Sequence, residues 1–323
     1  MLNNYNYFIT LAEELNISRA AEKLFISHQC LSKYLKNLEI EYQTPLLERA
    51  PKLKLTLAGE ALLETFRKVQ FLEQNLQSQL EDIKNAKRGV IRLGTTEGRY
   101  RILMPELLAQ YHKLYPDVDL DVRYATSGDL AESIRKNELD VVLLNRTFVD
   151  ENEFEVKPLI DEKLYLIVSD NMLARYFPDQ YPECKDRFLK EGVDLADFQE
   201  LPFVLNTRKF KSRMLIDAYA LTHGLSLKCV LELTQLDVHF QLTANDYAAS
   251  FCWTMYLPTV IGMNRKDTEH HLNIFRIRKG DFGNQFVCAF LKGKMLPQFG
   301  RDLISQIRSN CSEFSAYEPE QRC

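Results

Sequence analysis

Ser27, His28, Gln29, Ser32, Lys33 and Lys36 are spaced to share one face of a helix, and Leu31, Leu35 and Leu38 to share another. Gln and His side chains can exchange hydrogen bonds with base edges, and Ser and Lys suit phosphates and guanine. A polar helix face alone is what any surface helix shows, so the neighbouring elements decide its meaning. Tyr7, Phe8, Leu11 and Leu15 predict a first helix near residues 3–15. Ser18 is predicted to cap a short second helix that starts at Arg19, whose Ala20 and Ala21 allow another helix to cross closely. Ser27 is predicted to cap a third helix running from His28 to about Tyr42. Two short helices joined by a tight turn form a helix-turn-helix, whose last helix offers its first residues to the major groove. Ser18 and Arg19 join the candidate contacts. Beyond the third helix, Lys52, Lys54 and Thr56 alternate with Leu53 and Leu55, the period of a short strand with one wet face. A basic hairpin there is a wing, and it aims Arg49, Lys52 and Lys54 at backbone phosphates.

A second set of polar residues depends on an α/β pattern. Strands are predicted at 90–94, 118–124, 139–144 and 163–169, with helices at 101–115 and 127–137. Alternation of this kind implies a parallel sheet with right-handed crossovers. Strands near 203–205, 228–233 and 249–254 and helices near 212–223 and 235–245 would build a second lobe. The chain would return through strands near 272–277 and 284–290 and end in a helix over about 296–309. Ligands of open α/β sheets sit at the carboxyl ends of strands, where helix N-termini offer amides to anions. That rule selects Thr95, Thr96, Gly98 and Arg99, then Thr126, Ser127 and Gly128, then Asn145 and Arg146 in the first lobe. In the second lobe it selects Asn206, Thr207, Asn245 and Trp253. Hydroxyls with Arg99 and Arg146 would suit a carboxylate or another small anion.

Between the two halves, residues 58–86 contain one glycine, in the first turn, and no proline. Ala61, Leu62, Phe66, Val69, Leu72, Leu76, Leu80 and Ile83 make an apolar seam along this stretch. A helix this long and this polar on its back calls for a partner helix. The sequence thus divides into a DNA-binding head at 1–57, a linker and dimerisation helix at 58–88 and a two-lobed domain at 89–323. Within the last, lobe 1 is placed at 89–162 and 268–323 and lobe 2 at 163–267.

Bulk properties narrow the class. The net charge of −4 argues against coating nucleic acid by bulk charge but not against a local basic face. No apolar run approaches a membrane span, and the first residues lack the pattern of an export signal, so no membrane partner and a cytoplasmic location are expected. The 7 cysteines are scattered without a CxxC, which points to reduced thiols rather than a disulfide framework or zinc site. No GxSxG, P-loop, HExxH or GxGxxG is present, so no enzyme and no cofactor are expected. His270 and His271 would point to opposite faces of a strand, which disfavours a metal site, and none is expected.

The run Phe8, Ala20-Ala21, Leu24, Ser27, Leu31-Ser32, Leu35, Leu38-Glu39, Leu46, Arg49, Leu55-Thr56 and Gly59 resembles the N-terminal signature of LysR-type transcription regulators. Gly89 to Gly94, Pro105, Tyr115-Pro116 and Leu139-Asp140 resemble the start of their effector domain. The sequence departs from the usual pattern at His28, where Gln is usual, at Cys30, and at Gln43, where Gly is common. It also carries extra length over 171–200 and lacks the usual Gly-rich turn at Asn245 to Ala249. The resemblance implies a winged helix-turn-helix, a long dimerisation helix and two α/β lobes like those of periplasmic solute-binding proteins. It further implies double-stranded DNA, a small-molecule effector, RNA polymerase and further copies of the chain, in a homodimer or homotetramer, as partners. An effector bridging the lobes is expected to alter DNA contact by favouring one of two states.

Overall fold

The computed structural model describes residues 4–48, 53–84, 87–266 and 271–314. The chain forms two compact units, Met1–Ala86 with Gly293–Pro297, and Lys87–Lys292 with Gln298–Cys323.

In the first unit, α1 (Tyr5–Glu14), α2 (Ile17–Lys23) and α3 (His28–Glu41) are followed by β1 (Leu47–Glu48), β2 (Lys54–Leu55) and the 27-residue α4 (Leu57–Ile83). Phe8, Leu11, Ala20, Ala21, Leu31, Leu35 and Leu46 form its core, and Phe66 of α4 packs edge-on against Phe8. Small side chains at Ala20 and Ala21 let α2 lie close to its neighbours, as their spacing predicts. Asn16, not Ser18, caps α2: its extended backbone presents Oδ1 to the Arg19 amide at 3.1 Å, and Ser18 lies inside the helix. Ser27 caps α3 through the Cys30 amide, as expected. The end of α3 uses a left-handed residue without glycine. Gln43 takes φ 52, Thr44 donates to the Glu39 carbonyl and Gln43 to the Ile40 carbonyl. β1 and β2 pair antiparallel as the base of the wing. Gly59 is required where α4 starts, because a Cβ there would lie 2.1 Å from the Leu46 carbonyl oxygen.

The second unit begins with β3 (Arg88–Thr95), α5 (Glu97–Leu114), β4 (Asp117–Tyr124), α6 (Ser127–Arg135) and β5 (Val141–Asn145). The strand β6 (Phe154–Ser169) then runs out of the first lobe, and α7 (Asp170–Tyr176) and α8 (Cys184–Glu191) follow. The second lobe continues through β7 (Pro202–Leu205), α9 (Lys211–His223), β8 (Lys228–Glu232), α10 (Leu236–Ala244), β9 (Ser250–Trp253), α11 (Leu257–Lys266) and β10 (Leu272–Arg276). The chain returns in β11 (Gly283–Leu291) and closes with α12 (Gln298–Phe314).

Strand order β10-β6-β11-β5-β3-β4 makes one continuous sheet, with β9 also on β6. The first part of β6 pairs with β11, and its last residues pair with β9 and β10. Thus β6 belongs to both lobes. Because Leu272 to Arg276 pair with Tyr165 to Ser169, the second lobe extends past residue 267, and the chain re-enters the first lobe only at β11. β5 is buried at every position, and its Val142 and Leu144 join Leu130 and Ile134 of α6 in the first lobe's core. The extra length after Ser169 is α7 and α8, stapled by Phe177, Phe188 and Phe198, with Phe188 against Phe275 of β10.

Candidate functional sites

The helix-turn-helix presents Ser27, His28 and Gln29 exposed at the start of α3, with Lys33 and Lys36 exposed further along and Ser32 half-buried. Their spacing puts His28, Gln29, Ser32, Lys33 and Lys36 on one side of the helix, flanking the buried stripe of Leu31 and Leu35. Lys33 and Lys36 are open to solvent, whereas Arg19, Lys23 and Lys54 are held by acids of the head. Glu14 pairs with Lys23 at 3.0 Å and with Arg19 at 3.6 Å, and Glu48 pairs with Lys54 at 2.6 Å. Those pairs are exposed and weak, so a phosphate can compete for Arg19 and Lys54. Arg49 and Lys52 lie outside the described residues.

The second unit holds a cavity of about 400 Å³ between its lobes. Thr96, Gly98, Arg99, Thr126, Ser127 and Asn145 line it from the first lobe, and Asn206, Thr207 and Trp253 from the second. Four sequence-selected residues do not line it. Thr95 is fully buried, and Gly128 lies one residue further along α6 than the lining Ser127. Arg146 is drawn to Glu151 at 2.5 Å and to the Val149 carbonyl, and Asn245 donates to the Gln241 carbonyl at the end of α10.

Arg99 reaches the cavity with its charge already matched. Its guanidinium pairs with Glu162 of β6 and lies 4.0 Å from the centre of the Phe286 ring. Asn284 donates to Glu162 at 3.0 Å and to Asn145 at 2.8 Å, and Asn145 faces Ser127 at 3.4 Å. A buried polar chain thus runs beneath the cavity floor, with both charges of the pair excluded from water. Lys209 and Lys211 also line the cavity, and neither pairs with an acid among the described residues. Three helix N-termini lie there without a side-chain cap: α5 after Thr96, α9 after Phe210 and α10 after Gln235. Each leaves amide donors and a positive dipole end toward the cavity. At α6, by contrast, Thr126 Oγ1 accepts from the Asp129 amide.

Tyr124, Phe148, Phe210 and Tyr256 complete an aromatic lining with Trp253. Burial raises the Tyr256 hydroxyl above its ordinary value, so it stays protonated. Lys209 and Lys211 were within reach of sequence reasoning, because they follow the carboxyl end of β7. Of the aromatic residues, Trp253 was selected from its place at a strand end, and the others were not, since an aromatic wall forms only in the folded domain. The cysteines add no reactive centre to the cavity floor: burial holds Cys252 well above its ordinary value and pushes Cys288 and Cys311 up to about 12. Among the described residues, no group of His, Cys, Asp and Glu could hold a metal ion. His270 lies outside them.

A winged helix-turn-helix joined to a two-lobed α/β receptor defines a ligand-responsive DNA-binding regulator. The family models agree: "Bacterial regulatory helix-turn-helix protein, lysR family" matches residues 2–60, and "LysR substrate binding domain" matches residues 84–265. This chain belongs to the LysR family of transcription regulators. Its relatives include the HTH-type transcriptional regulator CysL of Bacillus subtilis (strain 168), 29% identical over 230 residues that cover 70% of this chain and 72% of CysL. The probable RuBisCO transcriptional regulator of Trieres chinensis is 25% identical, covering 72% of this chain and 71% of its own. Among solved structures, a full-length OxyR variant from Pseudomonas aeruginosa superposes with TM-score 0.69 at 20% identity, covering 95% of this chain and 94% of that one. CbnR complexed with its target DNA superposes with TM-score 0.54 at 19% identity, covering 96% and 99%. The CcmR regulatory domain of Synechocystis PCC6803, in complex with 2-PG, superposes with TM-score 0.55 at 16% identity, covering 69% and 98%. Among the described residues, no helix is long and apolar enough to cross a membrane.

Proposed function

We propose that this regulator reads duplex DNA with the first turns of α3 and with the wing, and responds to a small anion held between its lobes. His28 and Gln29 face base edges, Ser27, Ser32, Lys33 and Lys36 serve bases or phosphates, and Ser18, Arg19, Arg49, Lys52 and Lys54 serve phosphates. The observation that carries the ligand reading is a pair of lysines, Lys209 and Lys211, that meet no acid among the described residues and stand beside uncapped helix N-termini in one cavity. A carboxylate or phosphate there meets amides and ammonium groups, while Tyr124, Phe148, Phe210 and Trp253 enclose the rest of the ligand. Arg99 positions the floor and does not neutralise the ligand, since Glu162 already holds it. Such a ligand touches both lobes and favours the arrangement that brings them together.

The chain then acts as a receptor and not as a catalyst, in the cytoplasm, on a promoter where it meets RNA polymerase. Residues 1–57 form the reading head, 58–88 the linker and 89–323 the receptor. Leu72, Leu76 and Leu80 stand exposed along α4 at steps of four residues, and a second copy of that helix would cover them.

The ligand arm is tested by thermal shift with small carboxylates and organic phosphates, with 2-PG, the ligand of the CcmR complex, in the panel. At least one should raise the melting temperature of the wild type and not that of the Lys209→Ala, Lys211→Ala double variant. Equal shifts in both proteins would remove the lysines from the site. Genome-wide mapping of bound sites tests the DNA arm and names the regulated genes. Failure to enrich any duplex would refute it.

A further inference from the structure

Phe25, in the turn between α2 and α3, is 97% exposed, among the most exposed large apolar side chains of the described residues. Its neighbours Leu24 and Ile26 both pack against the core of the head, which sends Phe25 outward. Its backbone is also unusual. Phe25 takes φ 54, in the left-handed region that favours glycine and asparagine. The turn needs that conformation, because Phe25 donates to the Glu22 carbonyl at 3.1 Å and Ile26 to the Ala21 carbonyl at 3.0 Å. This arrangement closes the C-terminus of α2, and glycine would make it without strain. The apolar contact that usually accompanies it comes from the following residue, here Ile26, so the ring adds nothing to the fold.

A bulky aromatic ring thus stands in water, on a backbone it strains, two residues before the cap of α3. Strained residues of this kind cluster at binding and switch sites. The nearest functional surface is the start of α3, where Ser27, His28 and Gln29 are all exposed.

We infer that Phe25 is a DNA contact, packing its ring on a thymine C5-methyl group beside the bases met by His28 and Gln29. Apolar side chains read thymine through that methyl, a contact polar residues do not replace. The ring carries no charge, so it adds affinity and base preference without adding to the salt dependence that phosphate contacts create. The inference rests on the reading of α3 as the DNA-contacting helix.

The test uses the full chain and a duplex enriched by the wild type from a random-sequence pool, with an unselected duplex as comparator. Phe25→Asn keeps the left-handed backbone and removes the ring, and it should melt at or above the wild-type temperature. Its affinity for the selected duplex should fall about tenfold, while its salt slope stays the same. Replacing thymines one at a time by deoxyuridine should weaken the wild type at one position and leave Phe25→Asn indifferent there. Phe25→Leu should keep part of the affinity. Lys33→Ala serves as the control. If Lys33→Ala loses affinity and Phe25→Asn does not, the inference about Phe25 fails and the reading of α3 stands. If neither loses affinity, that reading fails as well. If Phe25→Asn changes sedimentation but not DNA affinity, the ring serves contact between copies of the chain, and the inference is overturned.

Discussion

Gly98 sits in the first turn of α5, where the first lobe meets Tyr256 of the second. A Cβ added there would lie 2.2 Å from the Tyr256 hydroxyl and 3.1 Å from its Cζ. Ordinary contact begins near 3.4 Å, so the tyrosine or the helix start must retreat by about 1.2 Å. Tyr256 is buried, with its ring in the wall of the cavity, so the retreat opens the cleft. In a helix without this neighbour, alanine in place of glycine would stabilise by up to about 1 kcal/mol. Here overpacking should reverse the sign and cost about 1–3 kcal/mol. For a unit of this size that lowers the melting temperature by roughly 2–12 °C, at about 2–4 °C per kcal/mol. The assay is a double-mutant cycle by thermal or urea denaturation with Gly98→Ala, Tyr256→Phe and the pair. Removing the hydroxyl leaves Cζ as the nearest atom, a contact that small shifts relieve. The pair should therefore recover most of the loss, with a coupling of at least about 1 kcal/mol between the sites. Gly98→Ala should also weaken whichever anion binds the cleft. A Gly98→Ala protein as stable as the wild type, or a pair no better than the single variant, would refute the claim that the lobes touch at this point.

Three further outcomes follow from the same structure. Gln43 holds a left-handed backbone at φ 52. Gln43→Gly relieves about 1–2 kcal/mol of strain and returns about 0.4–1 kcal/mol as unfolded-chain entropy, so chemical denaturation should show a gain of about 0.5–1 kcal/mol. Leu76 is 55% exposed on α4. If a second copy covers it, Leu76→Lys removes about 1 kcal/mol of burial from each chain, and sedimentation should show dimerisation weakened by roughly 30-fold or more. His239 is buried on α10 with Nε2 3.1 Å from the Leu233 carbonyl, and burial holds its imidazole below the ordinary value. The folded value thus lies below the unfolded one. Its contribution is intact above about pH 6.5 and declines as pH falls, by at most about 1.4 kcal/mol per pH unit for one proton. Melting curves from pH 7.5 down to 5.5 should therefore be steeper for the wild type than for His239→Gln, and equal slopes would contradict it.

The head was legible in the sequence because its information is local. Leu31, Leu35 and Leu38 mark the buried side of α3 by spacing alone, Ser27 announces its own cap, and β1 with β2 follows from alternation over a few residues. The cap of α2 was misplaced by two residues, because Asn16 and Ser18 can both accept from a first-turn amide and only the backbone angles choose between them. Strand order in the receptor was partly legible, since strand-helix alternation dictates parallel pairing, but a strand shared by two lobes has no sequence signature. The length of β6, and with it the residue where the chain returns, was set by partners far along the chain.

By itself the sequence determined the class of the protein, the course of most elements and the polar ends of strands where a ligand would gather. Periodicity, capping and turn chemistry act within a few residues, and they are written in order along the chain. Tertiary structure alone decided which charges remain available. Arg99 and Arg146 look alike in sequence, yet the fold sets one against Glu162 and the other against Glu151, and it leaves Lys209 and Lys211 to face the cleft. A charge's worth to a ligand depends on what else lies within a few ångströms of it, and that is a property of the folded chain.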